Sequence, residues 1–253
     1  MNFESIKKSF RNDSENSELT SETGNVGKLE LLGFIVFSIL FVFLFGRSIF
    51  LSPLKYFATS IHESMHAIMA ILTGGQVHEY VINADYSGHI MSSGGIGWLI
   101  TSAGYIGAAF VAGFLIRFST NMKASSIGVL VLGLLVAAMS LLFAKTWLSI
   151  GFILSLAVAA GLIFLVWKTK WDCHIAVFLG TFLSFQSMDD IYVYLFSYRM
   201  TGAYLQTDAY LLSTRLFGTE LFTLPIALAF AAISIFIWWK FTSSLFKKSP
   251  ATE

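Results

Sequence analysis

The sequence has little charge and almost no sulfur chemistry. Only 12% of its 253 residues are Asp, Glu, Lys or Arg, and 16 basic residues against 15 acidic ones leave a net charge of +1. No basic stripe accompanies that balance, which argues against a nucleic-acid partner. The single cysteine, Cys173, excludes an internal disulfide and a zinc site built from cysteines; a lone thiol near a loop is read as structural. What is abundant is apolar: 56% hydrophobic residues, 25 of them Phe, and a mean hydropathy of +0.73.

A soluble domain of this length would not carry repeated apolar runs of roughly 20 residues, each long enough to cross about 30 Å of hydrocarbon as a helix. The runs fall at 31–51, 53–73, 95–117, 126–143, 147–167, 174–196 and 221–240. They predict an all-α polytopic membrane protein of six to seven transmembrane helices, an integral, multi-pass protein in contact with lipid. Residues 1–28 are polar and rich in Ser, Asn, Glu and Lys, and are read as a disordered N-terminal tail. That polar lead is too long for a secretory signal, the next apolar run is of spanning length, and no small-residue cleavage pattern closes it. The membrane domain is expected over 29–243, with a short C-terminal tail over 244–253. Lys7, Lys8, Arg11 and Lys28 favour a cytoplasmic N-terminus, whereas Lys240, Lys247 and Lys248 pull the C-terminus to the same side. An odd number of spans cannot satisfy both, so one short run is a candidate re-entrant segment.

Within the second run stands His62-Glu63-Ser64-Met65-His66, an H-E-x-x-H motif in the apolar stretch 61–72. At 3.6 residues per turn the two histidines lie one above the other on one face, where both imidazoles can reach one Zn²⁺. Glu63 projects about 100° further round, out of easy reach as a third ligand but able to take a proton from a water on the metal. That arrangement points to metal-assisted hydrolysis of an amide. Two imidazoles and a carboxylate at membrane depth are expensive unless they have partners, so ionisable groups there are functional by default. Ser52 reads as the helix N-cap and Pro53 as its first residue, with Gly74-Gly75 stopping it after Thr73.

Between 75 and 94 the pattern changes to Val77-His78-Glu79-Tyr80-Val81-Ile82-Asn83, then Ala84 to Ser87, then Gly88-His89-Ile90-Met91, which predicts a β-hairpin turning through Asn83-Ala84-Asp85. A strand edge beside the metal can pair with an extended segment of substrate; an ordinary interfacial loop is the competing reading. His78 and His89, in that region, are read as solvated rather than as ligands. In the third run Gly104, Ala108 and Ala112 recur every four residues, a small-residue stripe expected to pack on the motif helix.

A catalytic zinc needs a third protein ligand. Asp189 and Asp190 stand inside the sixth run, and Asp208 stands in Thr207-Asp208-Ala209, where it can also be read as a helix-start acid capped by Thr207.

The ordered set His62-Glu63-x-x-His66-Ala67, Leu72-Thr73-Gly74-Gly75, Ser87-Gly88, Gly104-Tyr105-x-Gly107, Asp190-Ile191 and Thr207-Asp208-Ala209 resembles the site-2 protease clan of membrane-embedded zinc metalloproteases, most closely the B-like branch of peptidase family M-fifty. The resemblance covers about residues 50–240. It implies a zinc endopeptidase with one catalytic Zn²⁺ that cuts transmembrane or membrane-associated proteins. In it His62 and His66 are metal ligands, Glu63 is the general base, and Asp208 is the third ligand, with Asp190 as the alternative. The chain lacks the Asn-Pro...Leu-Asp-Gly signature that carries the third ligand in better-studied members. The competing function is a non-hydrolytic metal-binding membrane protein, a transporter or a degenerate protease scaffold. Against a transporter stand the Glu directly after the first His and the lack of a repeated half. A di-iron carboxylate site would need a second Glu-x-x-His, and Glu63-Ser64-Met65-His66 is the one copy.

Overall fold

The computed structural model describes residues 27–46, 48–143, 171, 173–185 and 207–246. Its elements are α1 (Lys28–Phe45), a short 3-10 turn (Ile49–Leu51), α2 (Ser52–Leu72), β1 (Gln76–Ile82), β2 (Gly88–Ser93), α3 (Gly97–Phe118), α4 (Met122–Phe143), α5 (Cys173–Phe185), α6 (Asp208–Phe217), a second 3-10 turn (Glu220–Phe222) and α7 (Thr223–Phe246). The protein is mostly helical, with one small sheet of two strands.

Among the described residues three helical segments are long and apolar enough to cross a membrane: Gly97–Phe118, Ala124–Phe143 and Glu220–Phe246. A fourth candidate is the pair Leu29–Phe45 and Ile49–Leu72, bent by 120° at the intervening break. The corner therefore falls inside the expected run 31–51, between Phe45 and Ile49, ahead of the second expected run, 53–73. Pro53 explains where the second begins, since proline is tolerated in the first helical turn but removes a hydrogen bond further in. Ser52 is not the cap that its position suggests. It lies inside the helix, and its hydroxyl donates back to the Ile49 carbonyl and contacts the Tyr86 hydroxyl at 2.6 Å. The other end stops as expected, with Thr73 as the last half-turn and Gly74 following at φ 82°. The expected run 147–167 and residues 186–196 of the sixth run lie outside the described residues, as do Asp189, Asp190 and the greater part of both expected tails.

The hairpin is antiparallel, Gln76 opposite Ser93 and Ile82 opposite Gly88, with an irregularity between Val77 and Glu79. Val77, Tyr80, Val81 and Ile82 of β1 are buried, the last three on alternating faces, and the Tyr80 hydroxyl donates to the Ser60 carbonyl of α2 at 3.0 Å. The turn is tied to the same helix. Thr59 Oγ1 donates to the Tyr86 carbonyl at 2.7 Å and the Tyr56 hydroxyl donates to the Ala84 carbonyl at 3.0 Å. Within the turn the Asp85 carboxylate accepts from the hydroxyl and the amide of Ser87, which holds its pKa below the ordinary carboxylate value.

Helix α3 packs against α2 and α7, and the small-residue stripe is the surface it uses toward α2. Ala108 and Ala112 share a core cluster with Ala58 and Ile61 of α2, Val129 and Val136 of α4, and Phe182 and Leu183 of α5. Where lipid offers no hydrophobic drive between helices, side chains this small let the backbones come close enough for dispersion to hold them.

Candidate metal centre

The motif does on α2 what its spacing predicts. His62 and His66 stack one turn apart, with their Nε2 atoms 3.0 Å from each other and their rings nearly perpendicular. Both point at one oxygen from far along the chain. Asp208 Oδ2 lies 2.8 Å from His62 Nε2 and 2.9 Å from His66 Nε2. His62, His66 and Asp208 are the one set of metal-competent side chains among the described residues whose ligand atoms all lie within 4.8 Å of one another.

Asp208 gets there by being the first residue of α6. Thr207 caps that helix, its hydroxyl accepting from the Tyr210 amide, so the helix-start role and the approach to the histidines hold together. The positive end of a helix also favours a carboxylate. Ala209 and Leu212 on the same helix bury against Tyr105 of α3 and Ala227 and Phe230 of α7, which seats the helix beside the motif.

His66 carries the test of what this centre can hold. Its Nδ1 lies 2.6 Å from the Ile100 carbonyl, in the first turn of α3. A carbonyl can only accept, so the hydrogen is on Nδ1, and in the neutral ring Nε2 presents a lone pair. That lone pair faces a carboxylate oxygen and a second imidazole nitrogen, all within 3.0 Å. Three such atoms need a proton or a metal ion among them, and a divalent metal satisfies all three at once. Two imidazoles and a carboxylate are a donor set suited to zinc. A ligating histidine that gives its other N–H to a main-chain carbonyl is the usual outer-shell arrangement of such sites. The residues fit the metal.

The walls are close and apolar. Tyr105 meets the His62 ring edge-on at 4.7 Å and stacks on Phe230 at 4.8 Å. Gly104 lies directly over both imidazoles, and Gly107 over Met65. Glu63 is buried, 5% exposed, beneath the first residue of β2: a Cβ at Gly88 would lie 2.9 Å from its Oε1. His78 and His89 are exposed and take no part in the cluster; His78 Nε2 pairs with Ser93 Oγ at 2.6 Å. Cys173 is buried and remote from the centre, against Ser125 of α4. Asp190, the alternative ligand, is outside the described residues.

Three contributors escape a reading of the sequence. The Ile100 carbonyl is invisible to it, because every residue has one. Tyr105 and Gly104 were legible as part of a motif and a stripe, but nothing in their identity says that they touch His62. Among known proteins, the model of the family described as Peptidase M50B-like matches residues 34–241. No curated protein and no solved structure matches the chain.

Proposed function

Given that the chain belongs to the Peptidase M50B-like family, whose membership implies a protease, we propose that it is a zinc-dependent endopeptidase of the membrane. What supports this reading above all is the convergence of His62 Nε2, His66 Nε2 and Asp208 Oδ2 on one point, with Glu63 one residue from the first of them. His62, His66 and Asp208 are the metal ligands, and Glu63 is the general base. Zinc, when bound, supplies Lewis acidity that brings a water toward a pKa of about 7 and polarises a scissile carbonyl. Glu63 takes the proton of the attacking water and returns it to the leaving amine. Its burial keeps the carboxylate from being levelled by bulk solvent, and the hydrogen bond from His66 to Ile100 keeps that ring in the tautomer whose Nε2 is free to ligate.

The substrate is a transmembrane or membrane-associated protein presented as an extended strand. Among the described residues β2 pairs with β1 on one side only, and its residues His89, Met91, Ser92 and Ser93 are exposed, while its first residue packs on Glu63. An unwound substrate segment can add to that edge with its backbone satisfied by main-chain hydrogen bonds. The apolar runs of the sequence support a multi-pass domain of six to seven spans in contact with lipid.

The test is metal content and turnover of the detergent-purified protein. Wild type should hold one zinc per chain, His66→Ala and Asp208→Ala should lose it, and Asp190→Ala should keep it. Loss with Asp190→Ala and retention with Asp208→Ala would transfer the third-ligand role to Asp190. Zinc bound in wild type but no cleavage of a panel of transmembrane peptides in liposomes would favour a non-hydrolytic metal protein, and folded wild type without zinc would end the metallopeptidase reading.

A further inference from the structure

Helix α6 carries Asp208 at its first residue and Arg215 two turns later, about 10 Å away along the axis at 1.5 Å per residue. The guanidinium does not reach Asp208. It reaches across to α3, where Nη1 donates to the Gly97 carbonyl at 3.1 Å and to Thr101 Oγ1 at 3.1 Å. Thr101 Oγ1 in turn donates to Gly97 at 2.9 Å, so three groups close a small polar triangle on the first turn of α3. Gly97 leaves the space for it: a Cβ there would lie 2.8 Å from Nη1. That same turn contains Ile100, whose carbonyl orients His66.

We propose that Arg215 is a positioning residue of the metal centre, locking the helix that carries Asp208 to the turn of α3 that orients His66. This deepens the function proposed above and rests on it. The apolar side of α6 is seated by Ala209 and Leu212 against Tyr105, Ala227 and Phe230. Such contacts hold the helix against its neighbours but resist sliding along the axis poorly, and among lipid they have no hydrophobic gain to set the register. A slide of one ångström would pull Asp208 Oδ2 out of the 2.8 and 2.9 Å approaches that it makes to the histidines. Two directional bonds from a cation to a carbonyl and a hydroxyl fix the axial position. Arg215 thus acts on the metal through Asp208, from the far end of a ten-residue rod.

The experiment is a zinc titration of the full-length, chelator-stripped protein in detergent, in competition with a chromophoric chelator. The variants are Arg215→Gln and Thr101→Val, with Arg117→Gln, an exposed arginine at the other end of α3, as control. The loss of an outer-shell partner lowers metal affinity by about 10- to 100-fold, and that is the range expected for Arg215→Gln. Thr101→Val should lose less, and should lose almost nothing more when added to Arg215→Gln, because the two share one contact. Arg117→Gln should match wild type. A merely structural or headgroup-binding arginine would lower the melting temperature of the metal-free form and leave the affinity of the folded protein intact; that result overturns the proposal while the metallopeptidase reading stands. If Arg215→Gln does not fold, Thr101→Val decides, since it keeps the charge and removes one acceptor: weaker zinc binding supports the lock and unchanged binding overturns it. Wild type without affinity for zinc would remove both the lock and the function beneath it.

Discussion

Gly104 and His62 are in such close contact that a methyl group on the glycine would lie 2.5 Å from the ring nitrogen that faces Asp208. The contact explains why the helix that covers the motif begins its small-residue stripe with a residue that has no side chain. It also makes the smallest possible substitution informative. Gly104→Ala should leave the helices assembled, as alanine is a good helix former, while displacing both imidazoles. We expect zinc affinity to fall by at least about 10-fold, the scale of a perturbed ligand orientation. Metal titration beside a circular-dichroism melt measures it, and wild-type affinity in that variant would contradict the geometry.

Glu63→Gln separates binding from turnover. The amide has the shape of the carboxylate but cannot accept the water proton, so metal content should stay at the wild-type level while cleavage falls by roughly 10²- to 10⁴-fold. Chelation should abolish the activity of wild type, and zinc should restore it. Full activity in the Gln variant would rule out Glu63 as the base.

Tyr80 joins the hairpin to the motif helix through one buried hydrogen bond to the Ser60 carbonyl. Tyr80→Phe keeps the ring and deletes the hydroxyl, which should cost about 1 kcal/mol and lower the thermal midpoint with zinc binding preserved. A matched pair of thermal melts at saturating zinc and in its absence would reveal whether the loss is confined to stability.

The turn of the hairpin should weaken in acid. Asp85 is held below its ordinary value by donation from Ser87, so the charged form is the one the folded turn favours. Its contribution is complete above the ordinary aspartate value of about 3.9 and is lost as the pH falls through the lower folded value. Hydrogen exchange of the Asn83 amide, which donates to the Ser87 carbonyl at 2.8 Å, should quicken over that fall relative to the intrinsic rate, and in Asp85→Ala this pH dependence should vanish.

How much of this was legible in the sequence depends on the range of the interaction. His62 and His66 on one face, the turn through Asn83-Ala84-Asp85 and the end of α2 at Gly74 are dictated within a few residues, and periodicity and turn chemistry reveal them. The 120° corner between α1 and α2 is less legible, since Gly46-Arg47-Ser48 marks an interruption in the apolar run but not the angle at which the chain turns. Ser52 misleads for a related reason: it has a good capping side chain, but Tyr86, 34 residues on, engages it instead. Asp208 could be named as the partner of the histidines only through the resemblance carried by Thr207-Asp208-Ala209, with Asp190 as the alternative, because periodicity and spacing leave the choice between aspartates open. Arg215 gave no signal at all, because its partners are a main-chain carbonyl and a threonine more than a hundred residues away.

The sequence distance between the parts of the centre has a consequence for the life of the protein before it is finished. His62 and Asp208 are 146 residues apart, and at synthesis rates of about 5–20 residues per second the second follows the first by roughly 7–30 s. The hairpin and the first turn of α3 are made early and can settle on the motif helix while the chain is still growing. The carboxylate cannot. A nascent chain therefore carries Glu63 and two imidazoles without the carboxylate that closes their cluster, and on the function proposed above it stays harmless to its neighbours in the membrane until residue 208 has been made.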